Sequence, residues 1–118
     1  CRLRVCRDGG LDAADRAAWE PLFRGYIEFY QAAVADDVID ETWARLLSPE
    51  PEFHVGLGAV DGEGRLVGIA HILFHRSTWS KSCYCYLEDL FVDPSARTRG
   101  IGRKLIEAVY AEADRRGA

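Results

Sequence analysis

The residues best suited to do chemistry lie between Arg97 and Lys104, in the run Arg-Thr-Arg-Gly-Ile-Gly-Arg-Lys. An apolar run with strand character, Tyr86 to Val92, precedes it, and Ile101, Leu105, Ala108 and Val109 then recur at helical spacing. Strand, glycine turn and helix in that order make an anion site. The first N–H groups of a helix have no intrahelical partner, and the macrodipole places about half a positive charge at that end, so a phosphate there gains several charge-assisted hydrogen bonds. Gly100 and Gly102 let the backbone come close, and Arg97, Arg99, Arg103 and Lys104, with no acid among them, suit a ligand with more than one phosphate. On spacing alone, the same residues also serve a solvated basic helix start in which the glycines only make the turn. The run is not a dinucleotide fingerprint, which needs a third glycine, nor a Walker A loop, which needs Gly-Lys-Ser or Gly-Lys-Thr.

The pattern Arg97-x-x-Gly100-x-Gly102 follows Asp93-Pro94 and is flanked by Leu90-Phe91-Val92 and Arg103-Lys104-Leu105-Ile106. It resembles the coenzyme A loop of the GNAT superfamily of N-acetyltransferases, where Arg or Gln-x-x-Gly-x-Gly or Ala stands at this strand-to-helix turn. In that family the loop amides hold the pyrophosphate of acetyl-CoA. The resemblance implies an α+β GNAT fold, with a mostly antiparallel central sheet flanked by helices, and acetyl-CoA as co-substrate with no metal. It implies that the loop residues Arg97, Thr98, Arg99, Gly100, Ile101, Gly102, Arg103 and Lys104 contact the cofactor. A backbone amide within Leu90, Phe91 and Val92 would stabilise the oxyanion, so those side chains need only be apolar.

The reaction so implied is acetyl transfer to a primary amine, and its physical problem is deprotonation. An alkyl ammonium with a pKa near 10.4 must lose a proton before attack, which at pH 7 costs roughly 4.6 kcal/mol, so a carboxylate within reach is useful. Glu88 and Asp89 lie just before the cofactor loop; as neighbours in a strand they are expected on opposite faces, with only one in the cleft. The run Leu87-Glu88-Asp89-Leu90-Phe91-Val92 resembles the corresponding strand of polyamine and thialysine acetyltransferases, whose glutamate is the proposed general base, and on that match Glu88 is the choice. The other reading is that both carboxylates satisfy arginines or backbone N–H groups. Trp79, in Arg76-Ser77-Thr78-Trp79-Ser80, also resembles a segment of the polyamine-type enzymes, and it suits either stacking on a cationic acceptor or an ordinary rim or core position. Tyr26 and Tyr30 are the remaining candidate acceptor contacts. Asp36, Asp37, Asp40 and Glu41 crowd a helix start, where acids serve as caps or border the acceptor site.

These residues need elements to position them. Arg2 to Cys6 alternates as a first strand ended by Gly9-Gly10, and Asp12 is a candidate cap for the helix that follows. Pro21 predicts a kink or restart, with the proline in a first turn, before the stripe Leu22, Phe23, Tyr26, Ile27 and Tyr30. A second helix is expected over about 37–47, with Val38, Ile39, Trp43, Leu46 and Leu47 inward and Ser48-Pro49 as its stop. The period then changes to strands at 53–60 and 66–74, joined by a turn at Asp61-Gly62-Glu63-Gly64. The last strand covers about 83–92 and the last helix about 100–116, closed by Arg115-Arg116-Gly117. His71 and His75, four apart on one strand face, are too few for a catalytic metal site and read as core or rim histidines.

At 118 residues, one domain over 1–118 is expected. The resemblance spans nearly the whole chain but only the first two-thirds of the family domain. A further strand, a helix and the general acid are therefore expected beyond Ala118. Residues 97–118 carry a net +3 and residues 1–96 a net −7, so a basic site sits on an acidic body, which disfavours nucleic acid and favours a small amine or lysine-bearing partner. No apolar run is long enough to span a membrane. Cys83 and Cys85, two apart in a strand, point to one face and do not bridge each other, in keeping with reduced thiols and a cytoplasmic setting. Homodimers are common in the family, and association is expected here. Two rivals remain open: a non-catalytic acyl-CoA-binding or regulatory module, and a nucleotide-phosphate binder on an unrelated α/β fold.

Overall fold

The computed structural model describes residues 4–5, 13–47, 55–61, 65–76, 78–79, 81 and 83–115. Asp12, the Gly9-Gly10 and Ser48-Pro49 stops, the turn at 62–64 and the end at 116–118 lie outside them, as do the side chains of Arg97, Thr98 and Arg99. The described elements are β1 (Arg4–Val5), a 3-10 turn (Ala13–Asp15), α1 (Arg16–Phe29), α2 (Asp36–Leu47), β2 (Val55–Val60), β3 (Leu66–Arg76), β4 (Cys83–Val92), a second 3-10 turn (Pro94–Arg99) and α3 (Ile101–Arg115). The strands form one sheet in the order β1-β2-β3-β4, and every pairing is antiparallel.

Two apolar clusters sandwich the sheet. Ile101, Leu105 and Val109, the i, i+4, i+8 stripe of α3, pack with Leu57, Ala70, Ile72, Phe74 and Val92. On the other side Trp19, Leu22 and Phe23 of α1 and Ile39, Trp43 and Leu46 of α2 pack with Val60, Leu66 and Ile69. Only one stripe of α2 is buried. Val38 and Leu47, expected inward, are 49% and 38% exposed, because each lies one position round the helix from a residue already facing the core.

The proline expectation is also corrected. α1 runs unbroken from Arg16 to Phe29 with Pro21 inside it as the sixth residue. Pro21 and Ala17 are both exposed, so water can reach the Ala17 carbonyl that has lost its helical partner. Of the acids at the start of α2, Asp36 and Asp40 reach arginines of α1, and Glu41 reaches Arg45. Arg16 bonds Glu20 at 2.7 Å and Asp40 at 2.6 Å, while Arg24 bonds Glu20 and Asp36, both at 3.0 Å, which ties α1 to α2. Hydrogen bonds from Arg16 and then Arg24 hold the Glu20 carboxyl below its ordinary pKa.

The sheet approaches α3 most closely at Gly68. A Cβ there would stand 3.0 Å from Leu105 Cδ1, 3.2 Å from Ile101 Cγ2 and 3.5 Å from the Phe91 carbonyl oxygen. Gly68→Val should therefore overpack this contact and cost about 1–3 kcal/mol, read as a lower urea midpoint at an unchanged slope.

Candidate active site

The site is built where β3, β4 and α1 meet. In the β3–β4 ladder His71 pairs with Asp89, but Ile72 pairs with Leu87, so Glu88 is one residue too many on β4. Leu87 on one side of this bulge and Leu90 on the other both pack toward α3. Two residues, Glu88 and Asp89, thus occupy the interval in which one would normally face α1. The expectation of opposite faces fails for that reason. Both carboxylates act on the Tyr26 phenol of α1.

Asp89 is partly buried, and its Oδ2 lies 2.9 Å from His71 Nδ1. His71 is 1% exposed, and its Nε2 accepts from Trp19 Nε1 at 2.9 Å. Trp19 is enclosed in turn by Phe23 and Trp43, with ring centroids 5.2 and 4.7 Å away, and Phe23 meets the His71 ring edge-on at 5.0 Å. The Tyr26 hydroxyl stands against the Asp89 carboxylate and, at a long 3.5 Å, donates to the Glu88 carbonyl oxygen. Burial first, then the charge of Asp89 and a hydrogen bond to it, with smaller effects from Tyr30 and Glu88, push the Tyr26 phenol up to about 12. Glu88 itself is exposed.

The other predicted contacts divide. Tyr30 packs edge-on against Tyr26 at 4.9 Å, so the structure brings it to the site, although it is 65% exposed beyond the end of α1. Trp79 is 90% exposed beyond the Arg76–Cys83 pair at the end of the hairpin. Arg76 stands five positions along the strand from His71, about 17 Å, so the structure does not bring Trp79 to the carboxylates.

The anion loop follows three residues after Asp89, about 10 Å further along the strand. The Asp93 N–H bonds the Val67 carbonyl at 2.8 Å, and Asp93 Oδ1 accepts from Ser95 N–H at 2.9 Å and Ser95 Oγ at 2.7 Å, which starts the 3-10 turn. The backbone of Arg97, Thr98 and Arg99 lies in that turn. Gly100 then takes φ +72°, a left-handed conformation that side chains rarely adopt, and its carbonyl accepts from Lys104 N–H at 3.2 Å. The N–H groups of Ile101, Gly102 and Arg103 precede that first intrahelical bond. Ile101 offers only its backbone, since its side chain is in the core; Arg103 and Lys104 are exposed. Leu90 and Val92 pack toward α3 and Phe91 toward α1, so all three side chains are structural and only their backbone faces the question of oxyanion binding. Among the described residues no group of three or more His, Cys, Asp or Glu is placed to hold a metal.

Sequence reasoning did not single out Trp19, and it read His71 as a core or rim histidine, which the structure bears out, without placing it at the site. Trp19 stands three and four residues before Leu22 and Phe23 on one helix face, and His71 two after Ile69 on one strand face, which was the available signal. The bulge left no such trace.

A sequence profile of the Acetyltransferase (GNAT) family matches residues 18–118. The chain belongs to the GNAT acetyltransferase family. It is 35% identical over 107 residues to a D-amino-acid N-acetyltransferase of Saccharomyces cerevisiae, a match that covers 91% of this chain and 66% of that protein. An uncharacterized N-acetyltransferase of Bacillus subtilis is 33% identical over 105 residues, which is 89% of this chain and 68% of that protein. The chain thus spans about two thirds of the length of these relatives. The crystal structure of a ribosomal-protein-alanine N-acetyltransferase from Brucella melitensis biovar Abortus superposes with a TM-score of 0.81 at 20% identity, covering 99% of this chain and 75% of that one. An aminoglycoside acetyltransferase from an uncultured soil sample gives 0.73 at 22% identity, over 100% and 76%. Those structural likenesses bear out the α+β GNAT fold expected from the loop.

The Tyr26 environment gives a direct test of this geometry. A raised pKa favours the neutral phenol in the folded state, so the stability it confers is complete below about pH 10 and is lost as pH rises toward 12. In an absorbance titration of the folded protein one tyrosine should ionise near 12, and Tyr26→Phe should remove that step and blunt the alkaline loss of stability.

Proposed function

We propose that the protein is an N-acetyltransferase that carries the acetyl group of acetyl-CoA to a primary amine by direct attack. The observation that carries this reading is the bulge, which puts Glu88 and Asp89 together on the α1 side of β4, three residues before the strand ends and twelve before α3, whose start suits a pyrophosphate. Glu88 takes the proton from the acceptor ammonium. The free amine then attacks the thioester carbonyl, and an amide within Leu90 to Val92 stabilises the oxyanion. The carbon–sulfur bond breaks, the attacking nitrogen gives up its remaining extra proton to become the amide, and the CoA thiolate gains a proton and leaves as the thiol. The amides at 101–103 hold the pyrophosphate, with the side chains of Arg103 and Lys104 adding positive charge.

The acceptor is a small free amine or a lysine side chain. Adjacent carboxylates favour a cationic group, and the yeast relative, by its name, acetylates D-amino acids, whose acceptor group is also a primary amine. The polyamine character expected from the Glu88 strand belongs to this same reading.

Two variants test it. The Gly102 position leaves room inside the fold, since a Cβ there meets only Val92 Cγ2 at an ordinary 3.8 Å. Gly102→Val should therefore keep its melting behaviour while CoA affinity falls at least about tenfold, because the added bulk obstructs the helix start; an unchanged affinity would sink the cofactor assignment. Glu88→Gln should lower amine-dependent release of CoA thiol about 10²–10⁴-fold with CoA affinity unaltered, across a panel of D-amino acids, diamines and a lysine peptide.

A further inference from the structure

The Trp19–His71–Asp89 chain admits one proton arrangement. The indole N–H of Trp19 is a donor only, so His71 Nε2, which receives it at 2.9 Å, carries no hydrogen. The imidazole hydrogen must then sit on Nδ1 and be donated to Asp89 Oδ2, also at 2.9 Å. Trp19 is 0% exposed and His71 1%, so both bonds are shielded from bulk solvent. The Tyr26 phenol, a second neutral donor, also stands against the Asp89 carboxylate. Both donors are neutral. They orient the carboxylate without cancelling its charge, whereas each carboxylate of the α1–α2 clamp is paired with an arginine.

We infer that Trp19 and His71 are positioning residues that hold Asp89 as a fixed anion to receive the acceptor's ammonium group, leaving Glu88 beside it for the proton. This rests on the acetyl-transfer reading and divides its two carboxylates by environment: Asp89 is pinned from behind by a buried chain, while Glu88 stands exposed on the bulge. A pinned anion suits binding, because it contributes before and during attack alike. A side chain at a bulge suits proton transfer, because it can follow the nitrogen.

Side-chain shape separates the two bonds of His71. The amide of an asparagine can occupy the place of Nδ1–H and keep a donor toward Asp89, while a glutamine reaches the place of Nε2 and keeps an acceptor for Trp19. His71→Gln should raise KM for the amine about tenfold, with kcat and the KM for acetyl-CoA within about threefold of the parent. His71→Asn should return KM to within about threefold of the parent, even if it melts lower. A purely structural histidine would give the opposite pattern or none: both variants equally destabilised and, where folded, KM unchanged, which overturns the proposal. The chain itself is checked on the unaltered protein by nitrogen NMR of labelled histidine. A protonated Nδ1 and bare Nε2 for His71 support it, and a protonated Nε2 overturns it. That measurement needs no turnover, so it stands apart from a failure of the acetyl-transfer reading, which would show as no amine-dependent thiol release from any variant or from the parent.

Discussion

Everything at the site depends on one extra residue in β4. A regular antiparallel strand would alternate Leu87 toward α3, Glu88 toward α1 and Asp89 toward α3, and would have buried a carboxylate against Leu105 and Ile101. The bulge at Glu88 avoids that cost. It also resets the alternation, so that Leu90 and Val92 return to the α3 side and Phe91 to the α1 side. A single insertion thus gives the strand an apolar face toward each helix layer and an acidic notch between them.

The notch is held from both directions. From the α1 side, Trp19 and His71 fill space that would otherwise leave the Asp89 carboxylate partly buried and unpaired, a state that costs several kcal/mol. From the α3 side, the bare backbone at Gly68 lets Ile101 and Leu105 approach β3 closely. That contact fixes where α3 begins relative to the end of β4, and hence where its first N–H groups lie. The acidic notch and the start of α3 are therefore placed by the same two strands, and neither can shift without disturbing the packing behind it.

Most of the architecture was legible in the residues. The change of period at about Phe53, the uninterrupted strand at Cys83 to Val92 and the stripe Ile101, Leu105, Val109 each predict an element that the structure contains. The loop pattern from Arg97 to Gly102 pointed to the family that the comparisons then showed. Pairing was not legible. A bulge is a property of register between two strands, and nothing in Leu87-Glu88-Asp89-Leu90 distinguishes it from regular alternation, since both patterns place apolar residues at the ends. Pro21 misled for a related reason: its penalty in a helix interior depends on whether the carbonyl four residues earlier is exposed, and that is set by tertiary packing.

The charge pattern gains a spatial meaning from this geometry. A net −7 over residues 1–96 and +3 over 97–118 would partly cancel in a mixed surface, yet the acidic notch lies on β4 and the basic helix start beyond its end, across the Pro94–Arg99 turn. On the proposed reading a phosphate-bearing donor is drawn to the helix start and an ammonium-bearing acceptor to the carboxylates, with the reacting carbonyl and nitrogen brought together between them. On the proposed reading, that separation makes one strand sufficient for both substrates, because the extra residue in the ladder turns the acids toward α1 while the backbone beyond it runs on into the anion loop.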